Sequence, residues 1–208
     1  MRRIAVFASG GGSNLQALLD AQDRDGFDGR IELVFSNVIG SGALDRVKGR
    51  GVATLCLPSR GFEGSREEYD AQVLAAMEAS GIDLVCLAGY MRILTPVLVR
   101  PFRDRMLNIH PALLPKYGGA GFYGHHVHEA VLKAGEKESG ATVHFVVEKT
   151  DAGPILLQGK VPVEPGDTPE SLAARVLRVE HTIYPEAVRL VCAGRVRIVG
   201  DRAEIIGP

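Results

Sequence analysis

The sequence predicts an α/β fold: a doubly wound, mostly parallel sheet with an antiparallel addition in the C-terminal half. Three observations predict it. Four short apolar runs, at 4–8, 31–36, 52–57 and 84–88, alternate with stretches of helical periodicity, as successive βα units do. The turn Ser9-Gly10-Gly11-Gly12-Ser13-Asn14 joins the first run to the first helical stretch, a position where glycines let the backbone approach an anion. After Gly89 the alternation gives way to a stretch rich in Pro and Gly, and then to two adjacent strand-like runs.

In chain order, the four apolar runs are near-continuous, as strands covered on both faces should be. Helical stretches follow at 13–21, 43–50 and 65–80. The third is the best marked. Ser65 and Glu68 form a capping box, Tyr69, Val73 and Met77 repeat at i, i+4 and i+8 with Leu74 widening the stripe, and Gly81 stops the helix. A fifth short strand is expected over 106–109 and a short helix over 127–134. Strands over 141–148 and 155–163 are joined by the turn 149–154. Thr168-Pro169-Glu170 starts a helix, with Thr as N-cap and Pro at the first helical position. It is expected to run to about Tyr184, where Pro185 ends or kinks it. The tail 196–206 closes as a short hairpin. No repeat or linker interrupts the chain, so one domain over 1–208 is expected.

Composition excludes several function classes. The 208 residues carry 24 Lys+Arg against 25 Asp+Glu, a net charge of -1, which lacks the basic footprint of a dedicated nucleic-acid binder. No apolar run reaches the ~18 residues of a membrane span. The apolar stretch after the N-terminal arginines is too short for a secretion signal. Cys56, Cys86 and Cys192 are scattered, odd in number and set among apolar neighbours; they read as reduced core thiols of a cytoplasmic protein.

Two constellations carry chemistry. A dinucleotide fingerprint would need glycine where Leu15 stands and an acid at the end of the second strand, which reads Phe35-Ser36-Asn37; a Walker loop would need Gly-Lys-Ser/Thr. With neither present, the glycine loop is either a site for one phosphate, with Ser13 and Asn14 as added donors, or a tight βα turn that merely needs glycine. At the end of the fifth strand, Asn108 and His110 point to one face. There an amide and an imidazole can stabilise an oxyanion and shuttle a proton. Asp151, in the turn 149–154, can pair with His110, raise its pKa and keep it protonated near neutrality. The competing reading is a capped strand end and a turn-forming Asp.

The segments 9–15, LAGYMRILTP (87–96), LNIHPALLPKY (107–117), TVHFVVEKTDAG (142–153) and EHTIYP (180–185) together resemble the phosphoribosylglycinamide formyltransferase family over nearly the whole chain. The resemblance implies a formyltransferase-type Rossmann-like fold. It implies transfer of a formyl group from 10-formyltetrahydrofolate to the amino group of glycinamide ribonucleotide in purine (IMP) biosynthesis. By the same resemblance Gly12, Ser13 and Asn14 hold the substrate phosphate and Glu180 lies at the ribonucleotide. Arg66, the backbone of Met91, Arg92, Ile93 and Leu94, and Asn108 contact the folate. Asn108, His110 and Asp151 carry the reaction, with protonated His110 and Asn108 donating to the formyl oxygen. Residues 1–105 then form the phosphate-binding βα half and 106–208 the catalytic and folate-contacting half. The expected partners are the two small-molecule substrates, with no metal, nucleic acid or membrane, in a monomer or homodimer.

Several residues keep two readings. Arg66 stands in the first turn of its helix, where the dipole disfavours a cation; it is a solvated charge or the partner of an anion. Ile93 and Leu94 suit either a pterin rim or core packing. Thr142 and His144 either support the triple or, for His144, form a satisfied core histidine. The segment 117–128 departs from the commonest family form, and its His125, His126 and His128 lack the companion ligands of a zinc site. Leu177 stands where relatives carry a polar residue, with Arg178 beside it as a possible substitute. The rivals are a formyltetrahydrofolate hydrolase and a non-catalytic nucleotide-binding regulator. The length, which suits a formyltransferase domain with nothing appended, disfavours relatives with regulatory or RNA-binding domains.

Overall fold

Ile4, Ala5, Val6 and Phe7 have no solvent exposure, and the strand they form lies at the centre of the first unit's sheet. The structure is a computed structural model describing residues 1–24 and 26–207. It divides into two compact units, Met1–Leu107 and Asn108–Pro208. In the first unit the chain forms β1 (Arg2–Phe7), α1 (Ser13–Arg24), β2 (Gly29–Ser36), α2 (Gly42–Asp45), β3 (Ala53–Cys56), α3 (Arg66–Ala79), β4 (Leu84–Leu87) and α4 (Pro96–Val99). β5 (Met106–His110) leads into the second, which continues with α5 (His125–Lys133), β6 (Glu138–Phe145), β7 (Ile155–Pro162), α6 (Pro169–Cys192), β8 (Val196–Val199) and β9 (Arg202–Ile205). Seven strands are ordered β3-β2-β1-β4-β5-β6-β7, and β8 and β9 form a separate pair. The predicted fold class is the observed one.

In the first unit β1 pairs in parallel with β2 on one side and β4 on the other, and β2 with β3. The strand order therefore reverses between β1 and β4, which makes their carboxyl ends the switch point where open α/β sheets bind ligands. Phe7, Phe35 and Tyr90 pack as an aromatic cluster just beneath it, with centroids 4.7 to 5.9 Å apart. α3 has the predicted capping box, Ser65 Oγ accepting from the Glu68 N–H and the Glu68 carboxylate accepting from the Ser65 N–H.

In the second unit β6 and β7 are the antiparallel addition. α6 turns Leu172, Val176, Glu180 and Tyr184 inward at spacings of four. It does not stop at Pro185, as expected, but continues to Cys192. A proline inside a helix costs about 3 kcal/mol, whereas Ala187, Val188, Leu190 and Val191 beyond it are all buried, at roughly 1.5–3 kcal/mol for each large side chain. The burial wins.

Three further expectations are corrected. β3 is an edge strand, mostly exposed rather than covered on both faces, and Cys56 on it is exposed, unlike Cys86 and Cys192. The helix expected over 43–50 shortens to α2, because Gly49 and Gly51 just beyond it take positive φ. α4, with Thr95 at the N-cap position but no side-chain capping bond and Pro96 at its first position, was not foreseen.

Candidate active site

Each predicted group is best described within its own unit. In the first, the loop after β1 is shaped by α2. The Gly10 carbonyl accepts from Ser41 Oγ at 2.8 Å and from the Ala43 N–H at 3.1 Å, and the Gly11 carbonyl accepts from Arg46 Nε at 2.5 Å. These bonds tie the loop's carbonyls back to Ser41, Ala43 and Arg46. Gly12 is required: at φ +72° a Cβ there would lie 2.8 Å from Ala43 Cα. Ser13 begins α1, and Asn14 is buried.

The loop after β4 carries Met91 to Leu94. Leu94 is buried and takes the core reading, whereas Met91 and Ile93 are half-exposed and do not pack in the core. Ser9 Oγ accepts the Met91 N–H at 2.9 Å and donates to Asn37 Oδ1 at 2.6 Å, joining the β1 and β4 loops at the switch point. Arg66 is not merely solvated. Its Nη2 donates to the Ile93 carbonyl at 2.6 Å, using one of the five donors of a guanidinium.

The second unit gathers the polar triple. His110 is buried, with Nε2 2.7 Å from the Tyr117 carbonyl and Nδ1 3.6 Å from Asp151 Oδ2. A carbonyl only accepts, so Nε2 carries the hydrogen. Asp151, at φ +54° in its turn, accepts the Gly119 N–H at 2.8 Å. Gly118 is required for this approach, since a Cβ would meet Leu114 Cδ2 at 2.5 Å and Asp151 Cβ at 3.2 Å. His144 supports the triple rather than only filling the core. Its Nδ1–H donates to the Phe145 carbonyl, and its Nε2 lies 3.1 Å from Asn108 Nδ2 and 3.5 Å from Asp151 Oδ1. Thr142 braces the chain beyond His110: its hydroxyl donates to Ala112 O at 2.6 Å and accepts the Leu114 N–H at 3.1 Å. Gln158 on β7, which sequence reasoning missed, donates to Thr142 Oγ1 and to Leu114 O, both at 2.9 Å.

The electrostatics correct one expectation. Burial, the largest influence, sets the His110 pKa below its ordinary value, and the upward pull of Asp151 and the Tyr117 carbonyl does not reverse it. The direction runs against the expectation that Asp151 raises this pKa and keeps His110 protonated. Burial, the largest influence, pushes Asp151 upward, but a hydrogen bond from the His144 ring, the charge His110 carries when protonated and the Gly119 N–H outweigh it and hold the carboxyl below its usual range.

The remaining predicted residues separate. Glu180 is buried on α6, while Arg178 is exposed and does not share its face. His125 pairs with Glu170 at 2.7 Å and His126 with Glu129 at 3.3 Å, both on the surface. His128 is buried, its pKa pushed down to about 4 by desolvation first and by His125 and His110 after it. Among the described residues no three His, Cys, Asp or Glu side chains are grouped to hold a metal ion, and no helix is long and apolar enough to cross a membrane.

Comparison with known proteins agrees with this geometry. The formyl transferase family model matches residues 2–188. The chain is 42% identical over 204 residues to phosphoribosylglycinamide formyltransferase of Escherichia coli, covering 98% of this chain and 93% of that one. It is 45% identical over 195 residues to the trifunctional purine biosynthetic protein adenosine-3 of Drosophila melanogaster, but spans only 14% of that protein's length. The crystal structure of glycinamide ribonucleotide transformylase 1 from Symbiobacterium toebii superposes with a TM-score of 0.93 at 43% identity, over 100% of this chain and 95% of that one. The chain belongs to the formyl transferase family, among the phosphoribosylglycinamide formyltransferases.

Proposed function

We propose that the protein transfers a formyl group from 10-formyltetrahydrofolate to the amino group of glycinamide ribonucleotide in purine biosynthesis. The observation that carries this reading is the set Asn108, His110 and Asp151, gathered around the His144 ring in one unit. The same reading keeps residues 1–208 as one functional domain, acting in the cytoplasm as a monomer or homodimer.

Gly12, Ser13 and Asn14 hold the ribonucleotide phosphate, and Glu180 contacts the ribonucleotide. Arg66 and the backbone of Met91, Arg92, Ile93 and Leu94 hold the folate. The fit is favourable, because half-exposed Met91 and Ile93 give a flat ring an apolar rim beside a guanidinium suited to carboxylates. The folate supplies the formyl carbon. Asn108, anchored by His144, donates to the formyl oxygen as negative charge develops on it. Neutral His110 accepts the proton that the attacking amine loses as its bond to carbon forms. Asp151 stabilises the resulting imidazolium. His110 then returns the proton to the departing folate nitrogen as its bond to carbon breaks, so no net proton is gained or lost.

The test mixes the purified protein with 10-formyltetrahydrofolate, with and without glycinamide ribonucleotide. Tetrahydrofolate formation that requires the ribonucleotide supports the proposal. Formate released without acceptor marks a hydrolase, and absence of turnover in both mixtures marks a binding protein; either result overturns it.

A further inference from the structure

Asp70 has no solvent exposure and sits on the inward face of α3 beside Tyr69. A buried carboxylate costs several kcal/mol to desolvate, and a buried ion pair is a poor source of net stability. What it does supply is geometry. Asp70 Oδ2 accepts the Thr95 N–H at 2.6 Å, and Oδ1 lies 3.6 Å from Arg92 Nε. One carboxylate therefore grips both ends of the segment from Arg92 to Thr95. Arg92 is held in turn: its guanidinium lies 4.1 Å over the Tyr69 ring, and its Nη2 donates to the Arg66 carbonyl at 3.3 Å. Arg66 completes the exchange by donating to the Ile93 carbonyl, between the two gripped ends. Half-exposed Ile93 lies within the gripped segment and half-exposed Met91 just before it, on a backbone anchored to the buried Asp70 carboxylate.

We propose that Asp70, through Arg92 and Thr95, is a positioning residue that presents the segment 91–94 to the folate. This rests on the reading that the segment holds the folate. Asp70 touches no substrate; it keeps the backbone of the β4 loop in the shape the ring meets. The ribonucleotide's contacts are elsewhere, on the glycine loop, and the reacting groups are Asn108, His110 and Asp151. Loosening the segment therefore weakens one substrate selectively and leaves the chemistry intact.

The experiment compares the full-length wild type with Asp70→Asn, Arg92→Met and the double variant. Asp70→Asn keeps an acceptor for the Thr95 N–H but removes the charge facing Arg92. A raised KM for 10-formyltetrahydrofolate, about ten- to a hundredfold as for a misplacement of roughly 1 Å, is expected. The kcat should stay within about threefold, and the KM for glycinamide ribonucleotide should not move. The double variant, which leaves no buried charge unpaired, should cost no more than either single change, because the two side chains act as one unit. It also carries the test if a single variant fails to fold. An unchanged folate KM in a folded variant, or an equal rise for both substrates, overturns the proposal. Hydrogen exchange separates it from the reading beneath it. If the folate does not protect the amides of 91–94 in the wild type, both fall; if it protects them and the variants still bind normally, only the positioning role falls.

Discussion

Asp151 decides two observables at once. Its carboxyl pKa is held below the usual range, and it faces a His110 ring whose pKa burial lowers. Asp151→Asn should lower kcat by about 10²–10³, the scale for losing one electrostatic partner of a transition state, while calorimetry still detects binding of glycinamide ribonucleotide. Near-wild-type turnover would remove Asp151 from the mechanism. The pH profile carries the sign. In the proposed mechanism neutral His110 is the active form, and its pKa lies below the ordinary 6.5, so kcat/KM should be level above that value and fall as pH drops through the shifted one. Asp151 pulls that pKa upward, so Asp151→Asn should move the acid limb to still lower pH. A profile that instead loses activity as pH rises across 6.5 would restore a protonated resting His110. Strand alternation made Asn108 and His110 legible as a pair, and Asp151 stood out in the polar turn 149–154 between two apolar strands. Gln158 and Asp70 were not legible, because each acts through a residue distant in sequence, Leu114 or Arg92, and an isolated polar side chain on a strand or helix looks like surface.

At the scale of elements, legibility follows how local the cause is. The start of α3 was readable because both halves of its capping box lie within four residues. Ser65→Ala should cost about 1 kcal/mol, lowering the midpoint of thermal unfolding by about 3 °C for a chain of this size; an unchanged midpoint would show that α3 is held by packing alone. The end of α6 was not readable, because the residues that carry the helix past Pro185 are rewarded by tertiary burial. The exposure of β3 was hidden for a related reason. An edge strand and an interior strand can share one apolar sequence, and only the strand order tells them apart.

Across the whole molecule, acid sensitivity follows from a histidine outside the proposed chemistry. His128 is buried and remains neutral down to about 4, whereas the unfolded chain protonates it near 6.5. Between those values the unfolded state binds more protons, so stability must fall as pH drops, by up to about 3 kcal/mol from this one group. Urea unfolding at pH 7.5 and 4.5 measures the difference. His128→Phe should flatten the pH dependence, and an unaltered slope would assign the acid loss to other groups. The fold class itself was legible at this scale, because the βα alternation recurs at the spacing a doubly wound sheet requires and a glycine turn follows its first strand.

The edge position of β3 has one practical consequence. Cys56 is exposed there, while Cys86 and Cys192 are buried, so a thiol reagent meets a single address on the native protein. A fluorophore or spin label on that sulfur sits at the rim of the first unit's sheet, on the strand paired with β2. The chain contains no tryptophan, so an indole introduced at a chosen site would supply the only tryptophan emission. Together these give two optical reporters with no competing group of their own kind on the native surface.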